Sequence, residues 1–278
     1  MTLPADILSP NLTTAVLTAM KAATDAEVMP RWRALTQDEV RTKSAEWDLV
    51  TDADVEAERR LTVALRDLVD VPVVGEEATA ASPELLDLVG SGGPVWIVDP
   101  VDGTRNFVAG SEVFGCMVAL VDGGRTVGGW ITHPAVGRSM HAVRGGGAYV
   151  DGRPVTADAP AHPRHLRGSL GSALVAREDH PTLQRAVQLG PVRPVRMCAA
   201  WDYADAVTGA TDYVTFSLTM PWDHAPGALI CQEAGLVSRR LSGAEYLPGD
   251  GGSGILTAHP SIWQVVADVL NSPEPSGA

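Results

Sequence analysis

The run Val95-Trp96-Ile97-Val98 stops on Asp99, and Pro100-Val101-Asp102-Gly103-Thr104-Arg105-Asn106-Phe107 follows at once. Consecutive apolar residues of this kind read as a buried strand. It runs into two aspartates three residues apart. Pro100 stiffens the chain between them, Gly103 permits a tight turn directly after the second, and Thr104 sets a hydroxyl beside both acids. A plain turn does not need two acids, a proline, a glycine and a threonine in fixed order. The fold therefore has to cover this strand in layers and leave its end where carboxylates can be used.

Two such acids suit a hard cation. Mg²⁺ takes oxygen ligands, usually only a few carboxylates, and leaves water and phosphate oxygens to complete its shell. Two metals about 3.5–4 Å apart can clamp the attacking and leaving oxygens of a phosphoryl transfer. One aspartate can bridge both ions, and a second can serve one of them. Further acids stand elsewhere in the chain. Glu76 and Glu77 follow Val71-Pro72-Val73-Val74-Gly75, and Asp223 opens the apolar helix after Pro221-Trp222. Asp48 and Asp54 flank Leu49-Val50-Thr51. Any one of these alone is more often a cap or turn former than a ligand, and Gly-Glu-Glu is a weak signal by itself.

Helices are expected over 11–28, with Leu12, Val16, Leu17, Met20 and Ala23 on one face, and from Asp54, which could cap a helix with Val55, Leu61, Ala64, Leu65 and Leu68 inward. A short helix over 83–89 is broken at 90–93. Asp122-Gly123-Gly124 joins strands 115–121 and 126–132 as a hairpin, and 138–143 and 147–150 form a second pair. The Pro/Ala/His-rich stretch 154–165 divides a first unit, 1–155, from a second, 156–278. That second unit alternates strands near 168–175, 193–196 and 212–216 with helices near 181–188, 200–208, 223–234 and 260–270. The order implies an α/β (α+β) protein with stacked helix and sheet layers and a cleft between two subdomains.

The net charge of −13 leaves little room for a basic surface that would neutralise a nucleic-acid backbone. Bound cations would reconcile an acidic chain with a phosphorylated ligand. Cys116, Cys198 and Cys231 show no paired spacing and read as buried small hydrophobes in a reducing compartment. No leader is evident over 1–10 and no run approaches a membrane span, so a cytoplasmic protein is expected. The seven histidines show no paired metal spacing, although His224 flanks Asp223. Gly145-Gly146-Gly147 lacks the strand–loop–helix setting of a nucleotide loop.

Taken together, Lys43 to Asp54, Gly75-Glu76-Glu77, Trp96 to Gly110, Trp222 to Gly227 and Gly254 to Leu270 resemble the inositol monophosphatase family. This is part of the lithium-sensitive, magnesium-dependent phosphatase superfamily, which includes fructose-1,6-bisphosphatases, 3′-phosphoadenosine phosphatases and histidinol phosphatases. The resemblance implies an αβαβα sandwich, usually a homodimer, that hydrolyses a small phosphorylated metabolite. It assigns Glu76, Asp99 and the Val101 carbonyl to one Mg²⁺, and Asp99, Asp102 and Asp223 to a second. Glu77 would stand by a third, looser ion. Thr104, bonded to Asp54, would orient and deprotonate a water. The Gly103 and Thr104 N–H groups would hold phosphate, and Asp102 would approach the leaving side.

Two positions depart from the family on that leaving side. Phe216 stands where inositol phosphatases carry a carboxylate, and it cannot accept a hydroxyl hydrogen bond. Its other reading is a core residue on a strand. Met197-Cys198-Ala199-Ala200 places Met197 where a glycine is expected. Both make the pocket bulkier and more apolar. Glu112 or Asp202 could offer an acid to a cationic leaving group such as histidinol. Arg105 reads as exposed or as a phosphate contact. A non-catalytic relic of the fold is the other class of reading, and the complete ligand set speaks against it.

Overall fold

The computed structural model describes residues 3, 7–42, 49–171, 180–252 and 254–272. Asp48, the Lys43 end of the first resembling segment, residues 172–175 and the end of the tail lie outside the described residues.

Helix α1 (Pro10–Ala23) continues into a π-helical turn, Thr24–Val28. The Thr24 hydroxyl donates to the Met20 and Lys21 carbonyls, and such back-bonding competes with the regular ladder. Strands β1 (Val40–Thr42) and β2 (Leu49–Thr51) form an antiparallel ribbon that leads into α2 (Asp52–Leu68). The cap of α2 is Thr51, not Asp54. Asp54 closes a capping box from the third helical position, accepting from Thr51 N at 2.8 Å. The buried stripe of α2 includes Ala53, Ala57, Leu61 and Leu65, whereas Val55 and Leu68, expected inward, are exposed.

The large sheet follows. Its strands are β3 (Val73–Gly75), β4 (Val95–Asp102), β5 (Gly115–Asp122), β6 (Arg125–His133), β7 (Arg138–Val143), β8 (Ala148–Val150) and β9 (Arg153–Val155), hydrogen-bonded in that order. Only the β3–β4 pair is parallel. Strand β4 does not end at Asp99 as expected. It runs on to Asp102 through an irregularity in its pairing with β5, where Pro100 can donate no ladder bond. Between β3 and β4 lie an unexpected α3 (Glu76–Ala81), a 3₁₀ turn (Pro83–Leu86) and α4 (Asp87–Gly90), in place of one helix over 83–89. Helix α5 (Thr104–Val108) follows β4.

The second sheet has the order β10 (Gly168–Leu170), β11 (Tyr213–Phe216), β13 (Ile255–Ala258), β12 (Val237–Arg240). Its helices are α6 (Pro181–Leu189), α7 (Ala199–Val207), α8 (Pro221–Glu233) and α9 (Pro260–Leu270). The expected strand 193–196 is irregular, with a single bridge from Val192 to Gly168. Arg193 and Arg196 both reach back to the Asp205 carboxylate at 2.5 and 2.9 Å, which fixes the segment by its side chains.

Helices α1 and α2 cover one face of the large sheet through Val16, Met20, Leu61 and Leu65 against Trp96, Val118 and Trp130. Helices α7 and α8 lie between the sheets, where Tyr203, Leu229 and Ile230 share a core with Ile131, Met140, Val214 and Ile255. Helices α6 and α9 close the far side on Leu170, Tyr213 and Leu256. The result is five layers, αβαβα. All eight residues of β4 are buried, as befits a strand covered on both faces. Among the described residues no helix is long and apolar enough to cross a membrane.

Candidate active site

The parallel register of β3 and β4 sets Gly75 beside Val98. Both chains leave that level with an acid, so Glu76 and Asp99 emerge from neighbouring strands side by side. Asp99 is 1 % exposed and Asp102 7 %. Asp223 arrives from the first turn of α8. One oxygen from each of Asp99, Asp102 and Asp223 lies within 4.8 Å of the other two.

Each acid is held locally. Asp99 Oδ1 accepts from Val101 N at 3.0 Å. Asp102 Oδ2 accepts from Ala200 N at 2.6 Å and from the Cys198 thiol at 3.0 Å, so it also caps α7. Gly103 turns the chain at φ 85°, a conformation that glycine adopts without strain. A Cβ there would stand 3.1 Å from Val113 O and 3.3 Å from Cys198 Sγ. Thr104 Oγ1 lies 3.1 Å from Asp54 Oδ1 and 3.0 Å from the Val101 carbonyl. Asp54 is fully buried.

The electrostatics suit a bound cation. Burial, then the charges of Glu76, Asp102 and Asp223, all push the Asp99 carboxyl well above its usual range. Burial likewise raises Asp54 and Asp102 to about 6, with Glu76 adding to both shifts. Several carboxylates driven against one another in a dry site cannot all ionise cheaply. An all-oxygen, multiply charged donor set of this kind fits a divalent metal such as Mg²⁺.

The model of the inositol monophosphatase family matches residues 10–271. The chain belongs to the inositol monophosphatase family.

Similar proteins include "Inositol monophosphatase 1" of Solanum lycopersicum, 31 % identical over 208 residues, with 72 % of this chain and 74 % of that one covered. "Histidinol-phosphatase" of Mycobacterium tuberculosis is 32 % identical over 218 residues, with 75 % and 79 % covered. A solved Thermotoga maritima IMPase superposes with TM-score 0.80 at 25 % identity, covering 95 % of this chain and 97 % of that one. The chain is thus a phosphatase of this family and shares its fold.

Against the family pattern, Asp99, Asp102 and Asp223 come together, with Glu76 close enough to act on Asp99, Asp102 and Asp54. The Val101 carbonyl faces Thr104. Glu77 is placed by its own N–H, which donates to Glu58 at 2.8 Å. Ala199 opens α7 beside Asp102. Phe216 is 3 % exposed and packs against Tyr203 and His224 at ring distances of 5.0 and 4.6 Å, a core setting. Met197 keeps the backbone a glycine would choose, φ 53°, a region few side chains enter, and is 36 % exposed. Arg105 is exposed. Glu112 is an exposed partner of Arg33, and Asp202 is buried against Ser169. Gly145 and Gly147 donate to the Glu233 carboxylate as a hairpin turn.

Three contacts were not visible in the sequence: Glu58 on the α3 backbone, Cys198 on Asp102, and Tyr203 on His224. Only the first carried a signal, since Glu58 lies one helical turn after Asp54.

The raised pKa values carry a stability consequence. A carboxyl lifted from its usual 3.8 to about 6 on folding binds its proton more tightly in the folded chain. Metal-free stability therefore falls as pH rises between those values and is regained on acidification. In EDTA the melting temperature should be higher at about pH 5.5 than at about pH 7.5. Saturating Mg²⁺ should remove most of that difference. A metal-free melting temperature that climbs steadily with pH would contradict the repulsion argument.

Proposed function

We propose that the chain is a Mg²⁺-dependent phosphomonoesterase that hydrolyses a small-molecule alcohol phosphate. The observation that carries this reading is the Asp99–Asp102–Asp223 triad beside the Asp54–Thr104 pair. Glu76, Asp99, the Val101 carbonyl, Asp102 and Asp223 would hold the metal, with Glu77 near a further ion. When bound, Mg²⁺ supplies Lewis-acid polarisation of phosphate oxygens and acidifies water.

The chain's own residues do the rest. Thr104 has one hydroxyl proton. Donating it to Asp54 leaves an Oγ1 lone pair to accept a proton from the attacking water. Asp54, with a carboxyl raised to about 6, is largely ionised at neutral pH and able to receive the relayed proton. The Gly103 and Thr104 N–H groups at the start of α5 would orient the phosphate. Asp102 and Ala199 would define the leaving side. The partly exposed Met197 side chain favours an alcohol less rich in hydroxyls than inositol, and Phe216, packed in the core on Tyr203 and His224, bears on that side only by supplying no carboxylate. The reading includes a cytoplasmic homodimer, with the 1–155 unit carrying most ligands and the 156–278 unit carrying Asp223.

The test is phosphate release from inositol-1-phosphate, histidinol phosphate, fructose-1,6-bisphosphate, glycerol-2-phosphate and phosphoadenosine phosphate. Each is assayed with Mg²⁺, with EDTA, and with Mg²⁺ plus Li⁺. Release that needs Mg²⁺ and is suppressed by Li⁺ is expected, with one substrate preferred. Release unchanged by EDTA would overturn the metal reading. An absence of release from every ester, together with no Mg²⁺ binding by calorimetry, would favour the non-catalytic relic.

A further inference from the structure

Helix α3 begins at Glu76 without a cap of its own. Its N-cap is Gly75, which makes no side-chain bond. The N–H groups of the second and third helical residues are those a capping side chain normally satisfies. Here the cap comes from α2. Glu58, 5 % exposed, accepts from Glu77 N with Oε2 and from Ala78 N with Oε1, both at 2.8 Å. Two bonds from one buried carboxylate fix position and rotation of the turn that carries Glu76.

The same helix face reaches the site a second time. Asp54, one turn earlier, holds Thr104. Helix α2 therefore sets both the Thr104 hydroxyl and the Glu76 backbone from one rigid element. The close fit also accounts for Gly75. A Cβ at that position would stand 2.2 Å from the Glu58 carboxyl carbon and 2.4 and 2.5 Å from its oxygens. The backbone of Gly75, φ −98°, is open to any residue, so its glycine serves the approach of Glu58 and not a turn.

We infer that Glu58 is a positioning residue, which caps α3 from α2 and thereby aims Glu76 at the metal site. The inference rests on the reading of Glu76 as a metal ligand. Partners that orient a ligand are commonly worth about 10–100-fold in metal affinity.

The experiment titrates Mg²⁺ alone, by calorimetry, into the full chain and its variants. Melting in EDTA is recorded alongside. Glu58→Gln keeps one acceptor and replaces the other with an amide that faces an N–H. It should weaken Mg²⁺ binding about tenfold and lower the metal-free melting temperature by a few degrees, since one buried N–H loses its acceptor. Gly75→Ala keeps the Glu58 side chain but displaces its carboxylate, and it should weaken Mg²⁺ binding in the same way. This second variant keeps the question open to measurement if Glu58→Gln folds poorly. In the double variant Glu58→Gln/Glu76→Gln, binding should be no weaker than in Glu76→Gln alone, because the positioning acts only through Glu76.

Wild-type Mg²⁺ binding in both Glu58→Gln and Gly75→Ala, with a loss in Glu76→Gln, would overturn the inference and leave the site reading standing. Additive losses in the double variant would overturn it as well, since Glu58 would then act independently. Unchanged binding in Glu76→Gln would overturn the Glu76 assignment and this inference together.

Discussion

Asp99→Asn should reduce turnover by about three orders of magnitude and raise the melting temperature of the metal-free chain. The two effects have one cause. Asp99 is buried at the centre of the acids, with Glu76, Asp102 and Asp223 all acting against its ionisation. The amide has nearly the same shape and can keep the 3.0 Å bond from Val101 N through its carbonyl oxygen. It removes a carboxylate whose ionisation Glu76, Asp102 and Asp223 all oppose. Without metal, repulsion is relieved and the fold gains stability. With metal, one of the carboxylates proposed to hold the ion is lost. Sites that accept strain of this kind commonly trade stability for activity. The measurements are phosphate release on the best substrate and melting in EDTA and in Mg²⁺. Near-normal turnover would remove Asp99 from the ligand set. A lower melting temperature in EDTA would show that the carboxylate serves packing more than metal binding.

The motif around Asp99 was legible because its residues do local work that leaves few alternatives: a strand, a proline, a left-handed glycine and a hydroxyl in one short run. The hairpins were legible for a similar reason, since Gly123 and Gly124 both take positive φ at the turn their sequence marks. What was missed depends on partners far away in sequence. Helix α3 has no cap of its own, because its cap is the carboxylate of Glu58. Strand β12 was hidden by Arg240, a 5 % exposed cation that a polarity pattern places outside. Its guanidinium donates to Thr219 Oγ1, Gly252 O and Asp250 O and stands 5.0 Å over the Tyr246 ring. Val192 and Val195 imitated a strand, while the arginines between and after them were held by Asp205. On the leaving side, Phe216 lies buried on a strand, as its core reading has it, and its burial was not legible because the rings that cover it come from α7 and α8.

Gly227→Ala should destabilise the chain by about 2–3 kcal/mol, although the same change in a free helix would stabilise it by about 1 kcal/mol. Gly227 lies inside α8. A Cβ there would meet the Tyr203 ring at 2.0, 2.4 and 2.5 Å. The ring cannot retreat, because Tyr203 is fully buried and packs on Phe216. Its hydroxyl is also committed. His224 Nε2 lies 2.8 Å from the Leu218 carbonyl, which can only accept, so Nε2 carries the proton and Nδ1 accepts from Tyr203 Oη at 3.1 Å. Burial holds the imidazole pKa down at about 4, which keeps this neutral arrangement at working pH. Moving the ring therefore disturbs His224, the residue after Asp223, and the variant should also bind Mg²⁺ more weakly. The overpacking cost outweighs the helix-propensity gain because a rigid buried ring, and not the end of a flexible side chain, stands in the way. Melting should fall by about 5 °C or more. In a Tyr203→Ala background the clash is gone, and adding Gly227→Ala should cost nothing. If Gly227→Ala is as costly there as in the parent chain, the contact with Tyr203 is not what the glycine protects.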